Sequence, residues 1–415
     1  MNPLFKLFLL VPILFLLAGC WDHKEIERKS YVIGIGLDKG KEKGTLEISY
    51  LISNPEVGSQ QSGGSSMEEP SELITVNVTD YISARNIANS VIAREISYDL
   101  LRVILVSEEL ASDKDFLRFI YGTVKDREIK RSTQLVVTKE KVGDYLKKNK
   151  PKMETRPHKY YEYMIDRGIE TGMIPDSELH IFFRVTEEDA KVFLSAYTSS
   201  VTTEDEKQGP TQDEFYAGQL EVKGETNRTE FFGSAVFLEG RMIGKLNGEE
   251  NRLVMLLNEF SEISDIITTF QDPFHEQYHL SARITAHKEK KVKMMLNKKH
   301  PKIRVTLPLR VEILSDPSMT NYAEKKKETA QLEDYIESSM ETKIADLVER
   351  TQKEFKAEPF GWSLYARKEF KTLKEYMTFD WMKTYPEIDI GVKVDVEFGE
   401  FGRQPKIPGF KGVRD

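Results

Sequence analysis

The chain contains a single cysteine, at position 20, immediately behind an apolar leader. Lys6 supplies a positive n-region, and Leu7 to Leu17 is an apolar run interrupted only by Pro12. A bilayer span needs roughly 20 apolar residues, so this run is too short to cross and fits the h-region of a secretory signal. The segment ends Leu17-Ala18-Gly19-Cys20. Small residues at 18 and 19 admit the chain to a peptidase site, and the Cys20 thiol is placed to take a diacylglycerol thioether before cleavage. Residues 1–19 are thus expected to form a removable signal peptide, with Cys20 as the lipidated N-terminus. Two acyl chains give stable anchoring where one alone is marginal. An exported chain whose only thiol carries lipid folds without disulfides, so its domains must be stable by burial alone.

Removing 19 of 415 residues leaves 396, enough for two to four domains at about 100–200 residues each. The formal net charge of −8 becomes −9 once Lys6 is lost, and this acidic balance argues against nucleic acid as a partner. No second long apolar run follows, so nothing after Cys20 is expected to span a membrane.

Along the chain, residues 31–37 and 45–52 read as strands around a turn at Asp38-Lys39-Gly40, and 55–71 as a flexible Ser/Gly/Gln/Glu loop. Strands at 73–78, 101–106 and 134–137 then alternate with helices at 81–93, 113–121 and 140–148. The helix at 81–93 has Ile82, Ile87 and Val91 among its apolar positions. Helices near 159–170 and 177–183 and a strand at 191–197 close a mixed α/β domain over 20–198. Residues 199–228, polar and acidic, read as an exposed linker or long loop. A hairpin at 231–246 opens a small α+β unit over 229–287, with Asn247 capping a helix that starts Gly248-Glu249-Glu250 and further strands near 264–269 and 279–287. The region 288–400 forms a C-terminal α+β domain. Its strands are 291–296 and 302–314, where Pro308 suits an edge or a bulge, and 387–398. Its long helix carries Leu332, Ile336, Met340, Ile344, Leu347, Val348 and Phe355 on one stripe, as for packing on a sheet. A second helix runs 363–378, and residues 401–415 read as a disordered tail. The fold class expected is α+β: three domains with mixed sheets covered by helices, behind a cleaved lipoprotein signal peptide.

One run matches a catalytic pattern. His275-Glu276-Gln277-Tyr278-His279 fits H-E-x-x-H, which needs both imidazoles on one helical face with the Glu as general base. Pro273 lies where such a helix should already be running, and Leu280 to Thr285 alternates like a strand, so a loop is favoured and no metal site is expected. Gly34 and Gly36 begin a G-x-G without its third glycine or a following helix, and so point to a bulge or close packing. No nucleophile–base pairing stands out among the other histidines, and no cofactor is implied. Lys288-Glu289-Lys290-Lys291 and Lys298-Lys299-His300 read as solvated turns, with contact to anionic lipid the sharper alternative.

Several motifs, in order, resemble the Ger(x)C lipoprotein family, the C subunits of bacterial spore germinant receptors. They are Gly19-Cys20-Trp21-Asp22, Val32-Ile33-Gly34-Ile35-Gly36-Leu37-Asp38, Gly233-Ser234-Ala235-Val236-Phe237, Gly244-Lys245-Leu246-Asn247-Gly248-Glu249-Glu250, Pro359-Phe360-Gly361-Trp362, Tyr385-Pro386 and Val392-Lys393-Val394-Asp395-Val396. The serine-rich stretch near 58–66 and the acidic ending Glu397-Phe398-Gly399-Glu400 depart from that pattern. The resemblance implies a non-enzymatic subunit of a nutrient receptor in the spore inner membrane. It would be lipid-anchored on the outer face, with two integral membrane subunits, the A and B proteins, as partners. It supplies no catalytic residues, and only Cys20 carries over. A solute-binding lipoprotein of a transporter is the alternative; that class has two similar α/β lobes.

Overall fold

The computed structural model describes residues 28–54, 69–187, 191–203, 213–258, 261, 265–296 and 299–401. Cys20 and its leader, the serine-rich loop and the C-terminal tail therefore lie outside the described residues.

β1 (Lys29–Lys39) is buried along most of its length, as its near-continuous Val32-Ile33-Gly34-Ile35-Gly36-Leu37 run requires of a strand covered on both faces. β2 (Leu46–Ser53) and β3 (Ser71–Val78) add to it antiparallel. On the other side of β1 the sheet turns parallel. β4 (Glu95–Ser97) and β5 (Val103–Ser107) pair with β1, β6 (Gln134–Thr138) with β5, and β7 (Phe193–Ser199) with β6. β8 (Glu230–Leu238) and β9 (Arg241–Leu246) complete a nine-stranded mixed sheet, antiparallel again. The connecting helices are α1 (Tyr81–Asn89), α2 (Val142–Lys148), α3 (Pro157–Glu170) and α4 (Leu179–Glu187). α1 and α4 contribute Tyr81, Ala84, Leu179 and Phe182 to the core on one face; α2 and α3 contribute Val142, Tyr145, Tyr160 and Ile165 to the core on the other.

α5 (Gly248–Leu257) leads into a second sheet of five strands, β10 (Ile266–Gln271), β11 (His279–Ala286), β12 (Lys291–Met295), β13 (Lys302–Ser315) and β14 (Asp389–Phe398). Between β13 and β14 run α6 (Lys326–Arg350), a π-helical turn at Thr351–Phe355, α7 (Trp362–Lys368) and α8 (Leu373–Phe379). α6, 25 residues and about 37 Å long, buries Leu332, Ile336, Met340, Ile344, Leu347 and Val348, the stripe read from its sequence. It also covers the open edge of β14: the amides of Val394 and Val396 donate to Glu341 and Glu337 at 2.9 and 2.8 Å. A bare edge would otherwise offer those amides to another chain.

Pro308 sits inside β13, not at a sheet edge. One side of β13 is paired by β12 up to Thr306 and by β11 from Leu309, so Pro308 falls where the partner changes. Its carbonyl accepts from His287 in the β11–β12 turn, so its missing N–H faces that handover and breaks no ladder bond there.

Four local expectations change. The segment 229–287 has no sheet of its own: β8 and β9 extend the first sheet, and β10 and β11 belong to the second. Residues 213–219 of the expected exposed linker pack against the first unit, while most of 220–228 is exposed. Phe215 and Ala217 are buried, and the Ala217 amide donates to Phe232 at 3.1 Å. α1 stops at Asn89 and buries Tyr81, Ala84 and Ala88, while Ile82, Ile87 and Val91 are exposed, because small alanines let the helix sit close to the sheet. The helix expected at 363–378 is two, α7 and α8, separated where Thr372 caps the second by accepting from Glu375 N.

Candidate functional site

A group of charged side chains on α5 reaches elements of both sheets. Asn247 accepts from Glu250 N at 2.8 Å while Glu250 accepts from Asn247 N at 2.9 Å, a reciprocal cap that fixes the helix start. The two acidic side chains of this first turn also reach across to α6, Glu249 to Lys343 and Glu250 to Arg350. Burial raises the Glu249 carboxyl above its usual range, with Lys343 opposing the rise. Arg350 also donates to the Lys245 carbonyl of β9 at 3.0 Å. One turn further along α5, Arg252 is buried and paired with the buried Asp213. It donates to the Thr171 carbonyl at the end of α3 and to the Ile267 carbonyl of β10, at 3.0 and 3.1 Å. Burial lowers its pKa against the pull of Asp213. Asn251 donates to Gly172 O at 2.8 Å. A single helix thus fastens α3, β9, β10 and α6 together.

Two glycines named in the sequence motifs allow close approaches, Gly233 at the start of α5 and Gly36 against α2. Gly233 has φ of +79°, and a Cβ there would lie 2.5 Å from Leu246 O. Gly36 faces α2 so closely that a Cβ would fall 2.5 Å from Val142 Cγ1. Beside it, Asp38 closes β1 by accepting from the amides of Val142 and Gly143 at 2.9 and 3.1 Å, at the N-terminus of α2. Burial raises the Asp38 carboxyl, and those two amides oppose the rise. The G-x-G run is therefore a packing feature with a β-bulge between Val32 and Gly34.

Glu358, which precedes the Pro359-Phe360-Gly361-Trp362 motif, is fully buried, and burial pushes its carboxyl up to about 7. Its Oε1 accepts from Ser363 N at 2.9 Å, and its backbone carbonyl accepts from Val192 N. Phe360 and Trp362 stack with ring centroids 4.3 Å apart.

The H-E-x-x-H run lies in the β10–β11 turn. Asp272 accepts from the amides of Phe274 and His275, and His279 opens β11, so the two histidines do not share a helical face. Among the described residues no group of three or more His, Cys, Asp or Glu side chains is placed to hold a metal, and no helix is long and apolar enough to cross a membrane. The Lys288–Lys291 turn is exposed, as expected of a solvated turn, with Lys290 its partly buried member. Lys290 donates to Leu256 O and Asn258 O at the end of α5, and Lys288 pairs with Glu397. A cleft of about 590 Å³ opens beside β2, α2 and α3, lined in part by Leu51, Leu73, Tyr160 and Tyr161. Its two tyrosine hydroxyls are already engaged, Tyr160 with Asn227 and Tyr161 with Asn149, both at 3.1 Å.

Sequence reasoning found the Asn247 cap and the acidic pair but missed Arg252, Asp213, Lys343, Arg350 and Glu358. Arg252 was the legible one: an arginine directly before Leu253-Val254-Met255-Leu256-Leu257 cannot reach water without help. The others carried no signal, because their partners lie far away in sequence.

The chain matches the model of the spore germination protein N-terminal domain over residues 22–199 and that of the spore germination B3/GerAC-like C-terminal domain over residues 232–402. It is 21% identical to spore germination protein B3 of Bacillus subtilis (strain 168) over 399 residues, covering 94% of this chain and 96% of that protein. Spore germination protein A3 of the same organism is 34% identical over 137 residues, 32% of this chain and 35% of its own. Among solved structures, the crystal structure of the GerBC protein aligns with a TM-score of 0.54 at 15% identity, covering 91% of this chain and 99% of that one, and so shares its fold. This is the fold of a germinant receptor subunit and not of a known enzyme family. With both halves matched by models of one family, the chain belongs to the GerAC-type family of spore germination proteins, the C subunits of germinant receptors.

Proposed function

We propose that this chain is a non-enzymatic C subunit of a spore nutrient germinant receptor, tethered through a lipid on Cys20 to the outer face of the inner membrane. There it serves the germination response by contact with the A and B integral membrane subunits. The observation that carries the reading is the apolar leader ending in Leu17-Ala18-Gly19-Cys20, directly ahead of a chain that belongs to this family over both halves. The polar motifs support it: each is engaged in holding elements together, as in a protein that works as a rigid body. The two sheets, nine and five strands with different orders, are unlike one another, which disfavours the two-lobed solute-binding class.

The test is a Cys20→Ala strain. Its spores are expected to lose the protein from the inner-membrane fraction and to respond poorly to nutrients. Cross-linking of the parent in inner membrane should recover two integral membrane proteins. Spores of the variant that germinate normally, with the protein still membrane-bound, would refute the reading.

A further inference from the structure

A sheet edge with no neighbour offers its unpaired N–H and C=O groups to any strand that meets it, and folded proteins guard such edges. The other edges of this molecule are guarded. On β4, Ile96 N donates to Asn89 Oδ1 at 3.0 Å and Ile96 O accepts from Arg85 at 2.7 Å. Arg350 donates to the Lys245 carbonyl of β9, Arg252 donates to the Ile267 carbonyl of β10, and Glu341 and Glu337 accept from the amides of Val394 and Val396 on β14. β12 is short and carries Lys291 and Lys293.

β3 has no such guard. It borders the first sheet with β2 as its neighbour, and it runs eight residues with Glu72 as its only charge. Among the described residues its backbone bonds to nothing but β2. The pairing pattern identifies the groups left over. Asn54 N donates to Pro70 O at 3.0 Å, one step beyond the Ser53–Ser71 pair. Antiparallel pairs alternate between hydrogen-bonded and non-hydrogen-bonded, so Glu72, Ile74 and Val76 bond to β2. Ser49 and Thr75, with hydroxyls 2.9 Å apart, form one of the closer, non-hydrogen-bonded pairs between them. The amides and carbonyls of Ser71, Leu73, Thr75 and Asn77 therefore face away from the sheet.

The side chains beside this edge narrow what can fill it. Ile74 and Val76 are half-buried on the face that α1 covers. Leu73 lies on the other face, where with Leu51, Leu146, Tyr160 and Tyr161 it lines the cleft of about 590 Å³. On an added strand, the side chain opposite Leu73 would stand about 5 Å from it, at this cleft. A second copy of the chain, paired along the whole strand about Thr75, sets Asn77 opposite Leu73 and leaves the cleft without an apolar side chain. An extended segment of a different protein, apolar at that position, satisfies both the backbone and the cleft.

We propose that β3 takes an added strand from an extended segment of a partner protein, with an apolar side chain of that strand entering the cleft beside Leu73. The proposal does not depend on the anchor at Cys20.

Hydrogen exchange resolved to single amides, on the full purified chain in detergent, should show Leu73, Thr75 and Asn77 exchanging much faster than Ile74 and Val76. If those three are slow, the edge is already covered, by residues 55–68 or by a second copy, and the proposal falls. The probe is a peptide with Glu at both ends, Val alternating with Thr between them, and a central Phe on the Thr face. Its binding should slow the three outward amides and leave the inward set unchanged. Thr75→Pro removes an outward N–H and no bond to β2, and should weaken binding about tenfold. Asn77→Pro should act likewise near the strand end, and Thr75→Val, which keeps the amide, should bind as the parent does. Exchanging the central Phe for Gly should weaken binding severalfold. No binding at about 1 mM peptide, or binding indifferent to both proline variants, overturns the proposal. In spore inner membrane, a photo-cross-linker in place of Glu72 should give an adduct with a different protein, lost in Thr75→Pro and kept in Thr75→Val. An adduct with a second copy of this chain, or one that survives the proline, equally overturns it.

Discussion

Replacing Glu358 by Gln is expected to flatten the stability of the chain against pH. Glu358 is fully buried, accepts one hydrogen bond through Oε1, and leaves Oε2 without a partner. Burial pushes its carboxyl up to about 7 from the 4.5 of an unfolded chain. Between those values the folded chain holds a proton that the unfolded chain has released, so stability is highest in acid and falls as pH rises. The full linkage is worth about 3 kcal/mol; under 1 kcal/mol of it is lost by pH 5 and nearly all by pH 8, which leaves about 2.5 kcal/mol between those two conditions. The Gln carbonyl can keep the Ser363 bond, and its amide stays neutral throughout. Urea unfolding of both proteins at pH 5 and pH 8 measures the effect, since every other titrating group contributes equally to each. The variant should lose about 2.5 kcal/mol less than the parent across that range. Equal losses would show that Glu358 already ionises in the folded chain, and the assignment of a neutral buried carboxyl would fall.

Three further outcomes follow from the packing. Arg252→Met strands the buried Asp213 and should cost about 3–5 kcal/mol in urea unfolding, most of which returns in the double variant with Asp213→Leu. Gly233→Ala places a Cβ against Leu246 O at φ +79° and should lower stability by about 2 kcal/mol or more, seen as a lower thermal midpoint. Glu341→Ala removes the acceptor for Val394 N on the β14 edge; about 1–3 kcal/mol is expected, together with faster hydrogen exchange at that amide and little change at Val305 in the interior of the same sheet.

Local periodicity carried much of the fold. The α6 stripe, the Asn247 cap and the strand runs of β1 and β13 each follow from residues close together in the chain. What escaped was set by distant contacts. The β8–β9 hairpin reads as the start of a new domain because polar residues precede it, yet Phe231, Ala235 and Val236 pair it back onto β7. Ile82 and Ile87 look like a core face, but two alanines and a tyrosine make the closer fit to the sheet, and the isoleucines are left outside. Asp213 gave no sign of its role, because an acidic residue in a polar stretch looks the same whether or not an arginine will later arrive beside it.

The placement of the motifs bears on what kind of protein this is. Gly36 and Asp38 join β1 to α2; Gly233 lets β8 pass under β9; Glu249, Glu250 and Arg252 tie α5 to α6, α3 and β10; Glu358 and the following aromatics lock the turn into α7. These residues are spread over at least three separate joints, and each carboxylate among them already faces a backbone amide or a cation. Such joints preserve the relative position of two sheets, which matters most when the working surface is external and extends over both.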